Sequence, residues 1–173
     1  MHIETERKFL IKLPDAELLA AQNCRVLDIT QTYLTVDNLS GGETRVRRIE
    51  EDGKVSYIFT EKKRISAVSR FENEYAISKR KYDKLIREAE DPRQLTKTRY
   101  AFPYGERTVE IDVYPYEIGG EGLAGRAVLE VEMESEDERL ILPDFIEIEC
   151  ELTGKKEFSN KSMAKPLKTA EKC

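Results

Sequence analysis

The chain has 173 residues, of which 39% are hydrophobic and 36% charged, and 34 acidic against 29 basic side chains leave a net charge of −5. That length suits a single domain, residues 1–173; the acidic balance argues against a partner of duplex nucleic acid, and no stretch approaches the apolar run of a membrane span. One histidine, His2, and three scattered cysteines exclude a histidine zinc site, a Ser-His-Asp triad and a disulfide framework.

Along the chain, segments 2–12, 26–36, 43–51, 54–63, 68–78, 95–102, 106–114 and 126–134 read as strands. Asp52-Gly53 and Tyr104-Gly105 mark tight turns between them, Gly41-Gly42 another, and Gly119-Gly120-Glu121-Gly122 a longer loop. Pro14-Asp15 opens a helix over 16–21, and residues 79–90 form a second that stops before Asp91-Pro92. Ser135 with Glu138 three residues on has the form of a capping box and predicts a third short helix, with a last turn in 158–167. The start, MHIETERKFLI, lacks the basic-then-apolar pattern of a signal peptide, so a soluble, cytoplasmic protein is expected.

The informative feature is charge at period two, because alternate residues of a strand share a face. Glu4, Glu6 and Lys8 alternate, as do Arg45 and Arg47, Thr60 and Lys62, Arg70, Glu72 and Glu74, Lys97 and Arg99, Glu110 and Asp112, and Glu130, Glu132 and Glu134. Apolar residues lie between many of them, such as Val109, Ile111, Leu129 and Val131. A solvated ladder of ion pairs would mix signs within each strand, whereas here whole strands carry one sign. Blocks of that kind suit a site that holds a polyanion on its basic side and hard divalent cations, Mg²⁺ or Mn²⁺, on its oxygen-only acidic side. Charged faces turned inward and apolar faces turned outward under helices would close the sheet around a polar lumen able to hold one small ligand.

These residues carry a resemblance. Glu4-Thr5-Glu6-Arg7-Lys8 is similar to the Glu-x-Glu-x-Lys signature of the CYTH domain, or triphosphate tunnel metalloenzyme, family. The likeness continues in family order through Gln31-Thr32-Tyr33-Leu34, Arg45-x-Arg47, Thr60-x-Lys62, Arg70-x-Glu72-x-Glu74, Lys97-Thr98-Arg99-Tyr100, Glu110-x-Asp112, Glu130-x-Glu132-x-Glu134 and Asn160-Lys161-Ser162-x-Ala164. It implies a mainly β fold, a closed eight-stranded antiparallel barrel with a few covering helices and triphosphate bound inside. It also implies a metal-dependent hydrolase of triphosphates, with inorganic triphosphate the expected substrate and Mg²⁺ or Mn²⁺ the cofactor. The His-Phe pair that usually precedes the motif in cyclase-type members is missing before Glu4, which turns the reading away from conversion of ATP to cyclic AMP. That cyclase activity, or a non-catalytic binder of polyphosphate or nucleotide, stands as the alternative. A monomer or homodimer is expected, with no membrane and no duplex partner.

The resemblance matches Lys8, Arg45, Arg47, Lys62, Lys97 and Arg99 to the phosphate-binding set, where guanidinium forks and ammonium groups grip several oxygens at once. Arg70 is either a phosphate clamp or a partner for Glu72 or Glu74, and Lys161 is placed to close one end of the site. Glu4, Glu6, Glu130 and Glu132 are the expected metal ligands, with Glu110 and Asp112 completing the shell or positioning water. For proton transfer the expectation names Lys97, sharing a proton with Tyr33, against a competing account in which Asp112 orders the attacking water.

Overall fold

A computed structural model describes residues 2–36, 42–65, 69–115, 125–135 and 137–167. Eight long strands carry the chain: β1 (His2–Lys12), β2 (Arg25–Val36), β3 (Gly42–Glu51), β4 (Lys54–Arg64), β5 (Ser69–Ala76), β6 (Arg93–Tyr104), β7 (Arg107–Val113) and β8 (Arg126–Met133). Each lies within a few residues of its expected segment. Two short strands follow, β9 (Ile148–Glu151) and β10 (Lys165–Pro166), which no expectation contained. The helices are α1 (Ala16–Ala21), α2 (Lys79–Glu88) and α3 (Asn160–Met163), with a 3₁₀ turn at Lys156–Phe158 before α3.

Local chemistry explains the punctuation. Between β3 and β4, Asp52 and Gly53 both have positive φ (50° and 74°), the requirement of a two-residue turn whose twist matches the flanking strands. Gly105, at φ 61°, does the same between β6 and β7. Ser78 caps α2 by accepting the Lys81 N–H at 3.2 Å, and the helix ends ahead of Pro92, whose ring disfavours helical backbone in the residue before it.

All pairings are antiparallel, and the strands form one ten-stranded sheet in the order β10-β6-β2-β3-β4-β5-β1-β8-β7, with β9 on β1 and a further pairing of β6 with β7. The expected eight-stranded closed barrel is thereby corrected to a ten-stranded antiparallel sheet. The cause lies on β1 and β6, where extra partners add. One edge of β1 pairs β5 through residues 2–5 and then β9 through residues 9–11, while its other edge pairs β8 through residues 5–12. At β6, Lys165 and Pro166 of β10 pair Gln94 and Arg93. The helix expected at Ser135 is also corrected. Its described residues form only a turn, in which the Glu138 N–H donates to the Ser135 carbonyl at 3.4 Å while the Glu138 carboxylate accepts the Glu134 N–H at 2.8 Å and pairs with Arg107. The glycine loop at 119–122 and the Gly41 half of the Gly41-Gly42 turn lie outside the described residues.

Register divides the sheet into an apolar and a polar face. Phe9 and Ile11 of β1, Phe102 of β6, Val109 and Ile111 of β7, and Ala127, Leu129, Val131 and Met133 of β8 form the main core. Leu19 of α1 and the segment carrying Leu140, Leu142, Phe145 and Ile146 cover it. On β2–β4 the cover is α2, whose buried Tyr82 packs at a tilt against Tyr57 of β4, 4.9 Å between ring centroids. The alternate residues of these strands, the charged ones, meet on the other side. Among the described residues no helix is long and apolar enough to cross a membrane.

Candidate functional site

The charged faces border a cavity of about 580 Å³, lined from all eight long strands and from residues 152–156 and 159–162. Lys8, Arg45, Arg47, Lys62, Lys97, Arg99, Lys161, Tyr33, Glu6, Glu130 and Glu132 all reach it. Asp112 is fully buried (0% exposed) just behind Lys97 and Arg99. The side chains of Glu4 and Arg70 lie outside the described residues; their backbones pair with each other across β1 and β5. The lining also includes Glu43, Arg64, Lys155 and Lys156, which the sequence reading did not assign. The signal for the first two was present, since Glu43 alternates with Arg45 and Arg64 with Lys62.

On the side formed by β1, β6, β7 and β8, every strong cation is answered. Arg99 Nε donates to Asp112 Oδ1 at 2.7 Å, its Nη2 to Asp112 Oδ2 at 2.8 Å and to Glu130 Oε2 at 2.7 Å, and its Nη1 to Glu110. Lys97 Nζ sits 2.5 Å from Asp112 Oδ2, and Lys8 Nζ 2.7 Å from Glu130 Oε1. Register builds this: Arg99 stands opposite Asp112, Glu110 opposite Glu130, and Glu130 opposite Lys8. Burial, reinforced by the Arg99 charge, lowers the Lys97 ammonium to about 8 even beside Asp112. Burial alone would raise Glu130 and Asp112. The cations Lys8, Lys97 and Arg99 hold Glu130 well below the ordinary carboxylate range, and Arg99 and Lys97 hold Asp112 below it too. Burial raises Glu110.

On the side formed by β3, β4 and β5 the matching is looser. Glu74 takes Arg47 and the Thr60 hydroxyl, the latter at 3.0 Å, and Lys62 pairs with Glu72 at 2.9 Å. Arg45 stands 3.7 Å from Glu43. The buried Nε of Arg47 has no hydrogen-bond partner, a cost normally avoided. Burial and the charges of Arg45 and Arg99 lower the Arg47 guanidinium, which marks crowded positive charge. Tyr33 accepts from Gln31 Nε2 at 2.5 Å and bonds Arg45, and burial raises its hydroxyl. Its described partners are therefore Gln31 and Arg45, while that of Lys97 is Asp112.

Donor chemistry for a cation is carried by β1 and β8. Glu6 of β1 and Glu132 of β8 stand directly opposite each other and both line the cavity. Among the described residues no three carboxylate, cysteine or histidine side chains are grouped so that they could hold a metal ion between them. Glu130 is already committed to Lys8 and Arg99.

No curated protein matches this sequence. Among solved structures, a conserved hypothetical protein from Pyrococcus furiosus superposes with a TM-score of 0.57 at 20% identity, covering 78% of this chain and 80% of its own. A protein from Pyrococcus horikoshii OT3 gives 0.53 at 17% over 78% of this chain and 80% of its own. A structure titled as a putative adenylate cyclase from Bacillus halodurans gives 0.50 at 17% over 79% and 84%. At such identities these likenesses establish a shared fold. The model of the CYTH domain matches residues 2–166, nearly the whole chain, with the charged alternation of β1, β3, β4, β6, β7 and β8 inside it. The chain belongs to the CYTH domain family.

Proposed function

We infer that the protein is a metal-dependent triphosphatase that hydrolyses inorganic triphosphate to phosphate and pyrophosphate. The observation that carries this reading is the β3–β4 wall, where Arg45, Arg47 and Lys62 face one cavity and the Arg47 Nε waits buried for an acceptor. A row of phosphoryl oxygens answers several such donors at once, and guanidinium groups suit it by their planar fork. Lys8 adds a point charge from β1, and Lys161 lines the cavity from α3. Glu6 and Glu132, with Glu4 next in alternation on β1, would hold Mg²⁺ or Mn²⁺. The ion, when bound, supplies charge neutralisation at the transferring phosphoryl group. Phosphoryl transfer asks chiefly for positioning and electrostatic stabilisation, so no covalent phosphoenzyme is required.

Within the chain's own residues, Lys97 is the group suited to move a proton. Its ammonium, lowered to about 8, is held by Asp112, which no solvent reaches. Tyr33 fixes Gln31 and Arg45 at the cavity wall. A substrate without a base is favoured over ATP because Tyr33 is the single aromatic side chain among the described lining residues, and its hydroxyl is already engaged. The test is a substrate panel for the purified protein with Mg²⁺ or Mn²⁺: triphosphate, pyrophosphate, ATP and thiamine triphosphate. Faster phosphate release from triphosphate than from pyrophosphate or a monoester is the expected result. Cyclic AMP from ATP, with no phosphate from triphosphate, would overturn it in favour of a cyclase.

A further inference from the structure

The strand walls of the cavity are close to charge-neutral by themselves. Among the described lining residues the strands contribute seven basic and seven acidic side chains, and the buried Asp112 behind them adds one more acid. Six of the seven cations, Lys8, Arg45, Arg47, Lys62, Lys97 and Arg99, are ion-paired within the walls. An anion approaching such a pair is attracted by the cation and repelled by its acid, so the attraction of a paired wall weakens steeply with distance. The excess positive charge of the lining comes from another part of the chain. Residues 152–162 bring three lysines to the cavity, Lys155, Lys156 and Lys161, and no acid.

Backbone and side-chain bonds fix this segment in place. Leu152 N–H donates to the Lys8 carbonyl at 2.7 Å and Thr153 Oγ1 accepts the Lys8 N–H at 3.0 Å, which ties its start to β1. Asn160 Oδ1 accepts the Tyr114 hydroxyl at 2.6 Å, just past β7, and the Ala164 carbonyl accepts Arg93 Nε of β6 at 2.9 Å. Leu152 and Asn160 are buried. Between these anchors Gly154 turns the chain at φ 77°, a conformation open to glycine at little cost. Lys155 and Lys156 follow, both exposed and, among the described residues, without an ion-pair partner. The strap therefore carries charge to the cavity that no acid of the fold offsets. The motif assigned by resemblance starts at Asn160, so it gives no role to Lys155 or Lys156.

We propose that Lys155 and Lys156 are specificity-determining residues, whose unpaired charge makes the site select an anion of three phosphoryl groups over one of two. This rests on the reading of the cavity as a triphosphate site. Because both residues are open to water, salt screens their contribution. The test measures the affinities of tripolyphosphate and pyrophosphate by calorimetry in chelator, for the wild type and for Lys155→Gln/Lys156→Gln. In the double variant the tripolyphosphate affinity should fall by about tenfold and that of pyrophosphate by about threefold or less. Its tripolyphosphate affinity should also depend less steeply on ionic strength, and Lys155→Arg/Lys156→Arg should restore the wild-type preference. Lys54→Gln/Lys84→Gln removes the same charge from exposed positions outside the cavity lining and should leave both affinities within about twofold of wild type. An unchanged preference in Lys155→Gln/Lys156→Gln, or an equal loss in Lys54→Gln/Lys84→Gln, would overturn the inference and leave the functional reading standing. If the wild type binds neither anion, the functional reading falls and the inference with it.

Discussion

The two walls of the cavity are built from the same residue types and do opposite things with them. Along β6, β7, β8 and β1, cations and carboxylates alternate across strands in register, so Arg99, Lys97 and Lys8 are each bonded to an acid that is buried or nearly so. Along β3, β4 and β5 the acid that holds Arg47 sits further out: Glu74 is 37% exposed against 9% for Glu130. The guanidinium of Arg47 keeps a buried donor unanswered. A neutralised lattice is rigid and has little left for a ligand, while an under-matched wall favours an incoming anion. The contrast teaches that a count of basic residues around a cavity does not give the number of substrate contacts. What matters is which of them the fold has already satisfied.

The largest effect should come from breaking the lattice where water cannot enter. Asp112→Asn removes the charge that Arg99 and Lys97 share, and the loss of a partner from a buried ion pair costs on the order of 3–5 kcal/mol. Urea denaturation should show a stability loss of that order, and a loss within experimental error would mean the lattice is not what holds this wall.

Next in size is the proton-moving role. Because Lys97 is lowered to about 8, its neutral form grows as pH rises through that value, so wild-type turnover should climb there. Lys97→Arg keeps charge and removes the ionisation. It should lose about 100-fold in kcat together with the step in the pH–rate profile. Near-normal turnover with an unchanged profile would instead leave water activation to the site ordered by Asp112.

On the opposite wall, Arg47→Ala deletes a charged donor set whose hydrogen bonds are typically worth about 1.5–3 kcal/mol each. KM for triphosphate should rise by about tenfold or more while kcat changes less, the reverse of the pattern expected for Lys97→Arg. Equal effects on both walls would erase the distinction between them.

The smallest effect belongs outside the cavity. Arg7 forks onto Glu151 through two bonds of 2.9 Å and ties β9 to β1. The pair is largely exposed, so Arg7→Ala should cost no more than about 1 kcal/mol in thermal unfolding and leave KM unchanged.

Much of this was legible in the strand alternation. Period-two charge placed Lys8, Arg45, Arg47, Lys62, Lys97, Arg99, Glu6, Glu130 and Glu132 on the cavity face before any coordinates, because side chains of a strand have only two sides to choose from. Asp52-Gly53 marked its turn for the same local reason. Strands β9 and β10 were not legible, since two to four residues are too few to show a period and their pairing is fixed by β1 and β6, far away in sequence. The Ser135 capping signal marked a turn and not a helix: Glu138 bonds the backbone at Glu134 and, across thirty-one positions, the Arg107 side chain. The saturation of Arg99 was hidden as well, since it depends on the register of three strands and not on any one of them.

The measurement that bears most directly on the central claim is phosphate release from tripolyphosphate by the purified protein, first in excess chelator and then with Mg²⁺ or Mn²⁺ restored. Glu6 and Glu132, opposite each other in the register of β1 and β8, predict that turnover disappears in chelator and returns with the ion. Undiminished turnover in chelator would contradict the account.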